Sequence, residues 1–169
     1  PPELPQVEGF ELAAINRSCY EVGGDYYDVI RLEGGRWAMV IADVSGKGTP
    51  AAIMMASVHA SLEAMAGSAP PARLLLRLNR FLFERTQTSR YVTLFYGELD
   101  PRRRSLLYVN AGHVPPYLLR KGGGDERLRS GGPVVGLLEE VAYDAGEVSL
   151  APGDLLVAVT DGVTEAMTA

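Results

Sequence analysis

The chain has 169 residues, 47% hydrophobic and 22% charged, with a formal net charge of −5. That length bounds one compact domain with a sizeable core, and the acidic balance excludes a general nucleic-acid binder, which needs a basic footprint. One cysteine, Cys19, and two histidines, His59 and His113, exclude an internal disulfide and a zinc site built from Cys and His, so any metal must be held largely by oxygen, as magnesium, manganese and calcium are.

No apolar run approaches the ~18 residues that span a bilayer, and the N-terminus lacks a signal-peptide pattern, so a cytoplasmic domain without membrane insertion is expected. Three prolines in the first five positions resist helix and central strand, so residues 1–9 read as the end of a linker from an upstream region and 10–169 as the domain. Phe10 to Tyr20 alternates well enough for a strand, and Tyr26–Leu32 and Trp37–Val44 read as a hairpin around Glu33, Gly34 and Gly35. Ala51, Met54, Met55, Val58, Leu62 and Met65 recur at helical spacing between Thr49 and Ala66, with Pro50 in the first turn. The methionines are most simply core, and His59 reads as a packing or surface residue. A second helix starts near Pro71, with Leu74, Leu75, Leu78, Phe81 and Leu82 on one stripe.

The remainder reads as strands: Tyr91–Leu99, Leu106–Asn110, Tyr117–Arg120, Glu147–Leu150 and Leu155–Val159. Arg102, Arg103 and Arg104 mark a solvated hairpin tip, and Gly122–Gly124 a loop. Ala38–Ala42 and Leu155–Val159 are apolar at every position, which predicts strands covered on both faces. The fold class that follows is α/β (α+β), a layered sandwich of antiparallel sheets with helices outside.

Three segments place aspartate beside glycine where an apolar strand meets a turn: Gly23-Gly24-Asp25-Tyr26-Tyr27-Asp28, Ala42-Asp43-Val44-Ser45-Gly46-Lys47-Gly48 and Thr160-Asp161-Gly162. A carboxylate there is held by a rigid element yet faces solvent, and glycine lets backbone and ligand approach closely. Asp before Gly is also ordinary turn chemistry; three such turns in one small domain favour a metal site. Hard oxygen ligands suit Mg²⁺ or Mn²⁺ and the activation of water for attack on phosphorus.

The runs GGDYYDVI, MVIADVSGKGTPAAIMMA, YVTLFYGELD, LLYVNAGHVPPYLLR, GGPVVGLL and LAPGDLLVAVTDGVTEA resemble the metal-dependent type 2C protein phosphatases (PPM family). The branch is the one that includes the sporulation stage II E phosphatase and the phosphatases controlling the general-stress sigma factor. The resemblance runs from about Phe10 to the C-terminus. It implies two antiparallel sheets flanked by helices, with two Mn²⁺ or Mg²⁺ ions at one end. It places the bridging carboxylate at Asp43, a backbone carbonyl ligand at Val44, a ligand of the second ion at Asp161, and the acidic residue of the first ion's surroundings at Asp25 in preference to Asp28.

Family members continue to a late aspartate pair that follows the last motif, so 10–169 reads as C-terminally incomplete relative to the family. His113, in Asn110-Ala111-Gly112-His113, is a family hallmark whose hydrogen bonding in the turn outweighs a role as acid or substrate contact. Lys47 either meets substrate phosphate as a point charge or is a solvated loop lysine. The resemblance also implies that the two helices after Asp43 act as a switch. The expected activity is hydrolysis of phosphoserine or phosphothreonine on a regulatory partner such as an anti-sigma-factor antagonist, with a sensor or dimerisation domain upstream. The alternatives are a catalytically impaired phosphatase-like binding module and a calcium-stabilised structural domain.

Overall fold

The computed structural model describes residues 3–16, 24–46, 48–85 and 90–164, with the backbone alone at 163 and 164. In chain order the elements are β1 (Asp25–Arg31), β2 (Trp37–Val44), α1 (Thr49–Met65), α2 (Pro71–Arg85), β3 (Val92–Asp100), β4 (Ser105–Ala111), β5 (Tyr117–Leu119), β6 (Asp125–Arg127), β7 (Gly131–Gly132), β8 (Gly146–Ser149), β9 (Leu155–Val157) and α3 (Asp161–Thr164).

Alternation along β2 decides the architecture, because successive side chains of a strand point to opposite faces. Ala38, Val40, Ala42 and Val44 are buried under the helices. Trp37, Met39 and Ile41 pack on the other side, against a cluster of Phe95, Leu99, Leu106, Leu118, Leu128 and Val148. The large sheet runs β1-β2-β3-β4, and β4 then pairs β7 in parallel and β8 antiparallel along its far edge. A small antiparallel sheet, β6-β5-β9, forms the next layer.

α1 buries Ala51, Met54, Met55, Val58 and Leu62, and α2 buries Leu74, Leu75, Leu78 and Leu82. Each fully buried leucine contributes about 1.5–3 kcal/mol, an upper bound because the unfolded chain is itself partly collapsed. The bounds of α1, α2 and β2 follow the sequence periodicity closely. The arginine tip is also as expected, with Asp100 Oδ1 accepting from the backbone N–H groups of Arg102 and Arg103 at 3.0 and 3.1 Å.

Two expectations need correction. Residues 11–16 of the strand expected over Phe10–Tyr20 form no strand, and 17–20 lie outside the described residues; the alternation instead lays Phe10 and Leu12 on the core between the sheets, with only a Val7–Phe10 bridge. Val7 is 5% exposed and packs with the cluster between the sheets. Leu155–Val159 is not covered on both faces: Leu156 packs inward while Leu155 is 56% exposed, because among the described residues no helix lies on the outer face of the small sheet. The helical cover of the described residues is therefore on one side of the sandwich. β6 and β7, too short and too rich in charge or glycine to announce themselves, were not anticipated.

Candidate metal centre

The hairpin register sets Asp25 directly opposite Asp43, and Asp43 in turn opposite Thr93 of β3. Ala42 and Val44 belong to the helix-side core, so the intervening Asp43 turns to the face between the sheets. Asp25 shares that face, since its neighbour Tyr26 packs on the helix side. A Cβ on Gly24 would stand 2.9 Å from the Val44 carbonyl oxygen and 3.0 Å from Asp43 Oδ1. Only glycine leaves that carbonyl and that carboxylate accessible side by side. The Val44 N–H donates to the Gly24 carbonyl at 3.2 Å, which fixes the approach.

The chain returns to this end after β9. Thr160 Oγ1 donates to Asp25 Oδ2 at 3.2 Å, and Asp161 opens α3 immediately afterwards. Partial burial, the charge of Asp161 and then that of Asp25 push the Asp43 carboxyl up to about 6. Three carboxylates thus crowd one end of the sandwich, a donor set of oxygen alone that fits a hard divalent cation. They do not draw together as a group to within 4.8 Å.

Behind the carboxylates lies the Asn110–His113 turn. Asn110 Nδ2 donates to the carbonyls of His113 (3.1 Å) and Leu128 (3.3 Å), while its Oδ1 accepts from the His113 N–H at 2.8 Å. His113 is 4% exposed, with Nδ1 3.0 Å from Thr93 Oγ1; that hydroxyl lies 3.5 Å from the Asp43 carbonyl. Burial lowers the His113 pKa, opposed by the Val159 backbone and Asp161, so the imidazole is neutral at pH 7. This geometry connects the turn to the strand that carries Asp43 and leaves little surface for a substrate.

Asp28 is elsewhere. Three positions beyond Asp25, it lies on the opposite face of β1, buried beneath α1, where Tyr26 donates to its Oδ2 at 2.8 Å and the Val29 N–H to its Oδ1 at 2.8 Å. Lys47 falls outside the described residues.

A family model described as stage II sporulation protein E matches residues 33–169. The chain belongs to the SpoIIE family. The phosphoserine phosphatase RsbU of Bacillus subtilis is 30% identical over 98% of the chain and 50% of its own length. Protein IcfG of a Synechocystis strain is likewise 30% identical over 98% of the chain and 31% of its own length, so the chain spans half or less of these curated relatives. Among solved structures, the PP2C phosphatase domain of SpoIIE from Bacillus subtilis superposes with a TM-score of 0.72 at 25% identity, covering 85% of this chain and 42% of that one. The RsbU and RsbW domains of a Mycobacterium tuberculosis protein give 0.74 at 26% identity, covering 86% and 41%. The fold is that of the PP2C phosphatases.

Within this SpoIIE-family frame, Asp25, Asp43 and Asp161 are gathered at one end, with Val44 beside them and Asp28 set apart. Thr93 and Thr160 are additional polar contacts that sequence reasoning missed. Thr160 was visible as the residue before Asp161; Thr93 carried no signal, because its position follows only from the β2–β3 register.

Proposed function

We propose that this SpoIIE-family domain is a metal-dependent protein phosphatase that hydrolyses phosphoserine or phosphothreonine on a regulatory partner of the anti-sigma-factor-antagonist type. The observation that carries the reading is the Asp25–Asp43 pair facing across the hairpin beside the Val44 carbonyl, in a carboxyl cluster whose mutual repulsion a cation would relieve. The relatives RsbU and RsbP, both named phosphoserine phosphatases, support the substrate class.

Two divalent ions, Mn²⁺ or Mg²⁺, would supply Lewis-acid charge and an activated water for in-line displacement at phosphorus. Asp43 would bridge them, Val44 would offer its carbonyl to the first, and Asp161 would serve the second. Asp25, steadied by Thr160, would orient the first ion's surroundings. His113 holds Thr93 and so the strand behind Asp43, a positioning role. Lys47 would meet the substrate phosphate as a point charge.

The test is phosphate release from an aryl phosphate and from phosphoserine peptides by the full-length protein, with and without Mn²⁺, beside Asp43→Asn. Metal-dependent turnover that disappears in the variant is expected. A folded protein that turns over neither substrate in Mn²⁺ would overturn the reading in favour of a binding module.

A further inference from the structure

α1 carries His59 and Glu63 four residues apart, so both leave the same helical face. That face lies over β1. The His59 ring is 5.2 Å from the Tyr26 ring, its Nε2 is 3.5 Å from Asp28 Oδ2, and Glu63 Oε1 is 4.0 Å from the same Nε2. One ligand atom from each of Asp28, His59 and Glu63 lies within 4.8 Å of the other two.

These spacings are those of loose ion pairs and also leave room for a shared cation. A charge-assisted N–H···O⁻ bond closes to about 2.7–2.9 Å, and neither contact does. Around a tetrahedral zinc ion with bonds of about 2.0–2.2 Å, neighbouring ligand atoms stand roughly 3.3–3.6 Å apart. The Asp28–His59 distance falls in that range. Glu63, with a side chain 52% exposed, has room to swing closer to both.

The surroundings are those of an oriented ligand. Asp28 has its side chain 9% exposed, and its two oxygens are set by the Tyr26 hydroxyl and the Val29 N–H. Outer contacts of this kind fix the geometry of metal-binding carboxylates. The Tyr26 hydroxyl is the donor in its contact with Asp28. The half-exposed His59 leaves a side open for water as a fourth ligand.

We propose that Asp28, His59 and Glu63 form a second kind of cation site, for a divalent late transition ion of the zinc class, which clamps α1 onto β1. One imidazole with two carboxylates suits zinc, whereas the all-oxygen set around Asp43 suits magnesium or manganese. The site stands independently of the phosphatase reading.

The experiment uses full-length protein carrying Asp43→Asn to weaken the acidic centre, with Co²⁺ and Zn²⁺ as probes. Equilibrium dialysis should find one equivalent of Zn²⁺ at micromolar concentration, and Co²⁺ should give the strong visible absorption of a four-coordinate site with nitrogen. Adding His59→Gln should abolish both signals. Glu63→Gln, at an exposed position that the fold tolerates, should weaken binding about 10- to 100-fold, and Tyr26→Phe about 10-fold. Unchanged stoichiometry and spectrum in His59→Gln, or no bound equivalent in the parent, would overturn the proposal.

Discussion

Asp25 and Asp28 sit on one strand, three residues apart, and the odd spacing sends them to opposite sides of the sheet. Asp25 enters a region of carboxylates between the two sheets, facing Asp43 of β2, on which the charge of Asp161 in α3 also bears. Asp28 enters a drier region beneath α1, held by a phenol and faced by an imidazole. The same side chain thus acquires different chemistry from the element that covers it: like-charged oxygen donors on one face, a mixed nitrogen and oxygen set on the other.

The largest effect should separate the two faces directly. Asp43→Asn should lower Mn²⁺-dependent hydrolysis of an aryl phosphate by about 10³-fold, since a ligand to the reacting centre governs several kcal/mol of transition-state stabilisation. The same change at Asp28 should cost far less. Equal losses in steady-state assays of folded variants, checked by circular dichroism, would break the comparison. Next in size is Gly24→Ala, whose Cβ collides with the Val44 carbonyl and Asp43. Overpacking of this kind costs about 1–3 kcal/mol, to be read as a lower Tm together with weaker Mn²⁺ activation.

How far the sequence discloses each region follows from the range of the interactions that build it. β2 and the two long helices were legible because their periodicities are strong and local, and the hairpin brings Asp25 opposite Asp43 once its strands are placed. The three aspartates are therefore legible from their local motifs, without their surroundings. The Asp28–His59–Glu63 cluster is not, because it depends on how α1 seats on β1; only the His59-to-Glu63 spacing lies within one element. Phe10 and Leu12 misled for the opposite reason, since alternation records which side chains are buried and is silent on whether a neighbouring strand supplies the ladder.

The electrostatic side of the comparison has a pH signature. In metal-free protein the Asp43 carboxyl titrates near 6 instead of its ordinary value near 3.8. The native state thus binds this proton more tightly than the unfolded chain. The resulting stabilisation is complete below the unfolded value and is lost as pH rises through the folded one. Asp43→Asn should therefore be more stable than the parent at pH 7 by about 1–2 kcal/mol, after allowance for solvent screening of a partly exposed group, and lose that advantage at acid pH. Thermal melts across the range in chelator would measure it. A difference independent of pH would remove charge crowding as the cause, and added Mn²⁺ should stabilise the parent more than the variant.

The smallest effect sharpens the boundary between the faces. Thr160 donates one hydrogen bond to Asp25, at 3.2 Å, and it does so from the segment between β9 and α3. Thr160→Val keeps the shape and removes the donor, which should cost about 1 kcal/mol, or roughly a fivefold higher Mn²⁺ concentration for half-maximal activity. The maximal rate should change little, because the side chain orients a carboxylate without meeting the reacting atoms. A fall in maximal rate at saturating Mn²⁺ would place Thr160 nearer the chemistry than its contact with Asp25 implies. An unchanged Mn²⁺ dependence would mean that Asp25 is held by its strand alone, and the join between the returning chain and β1 would then be one of packing.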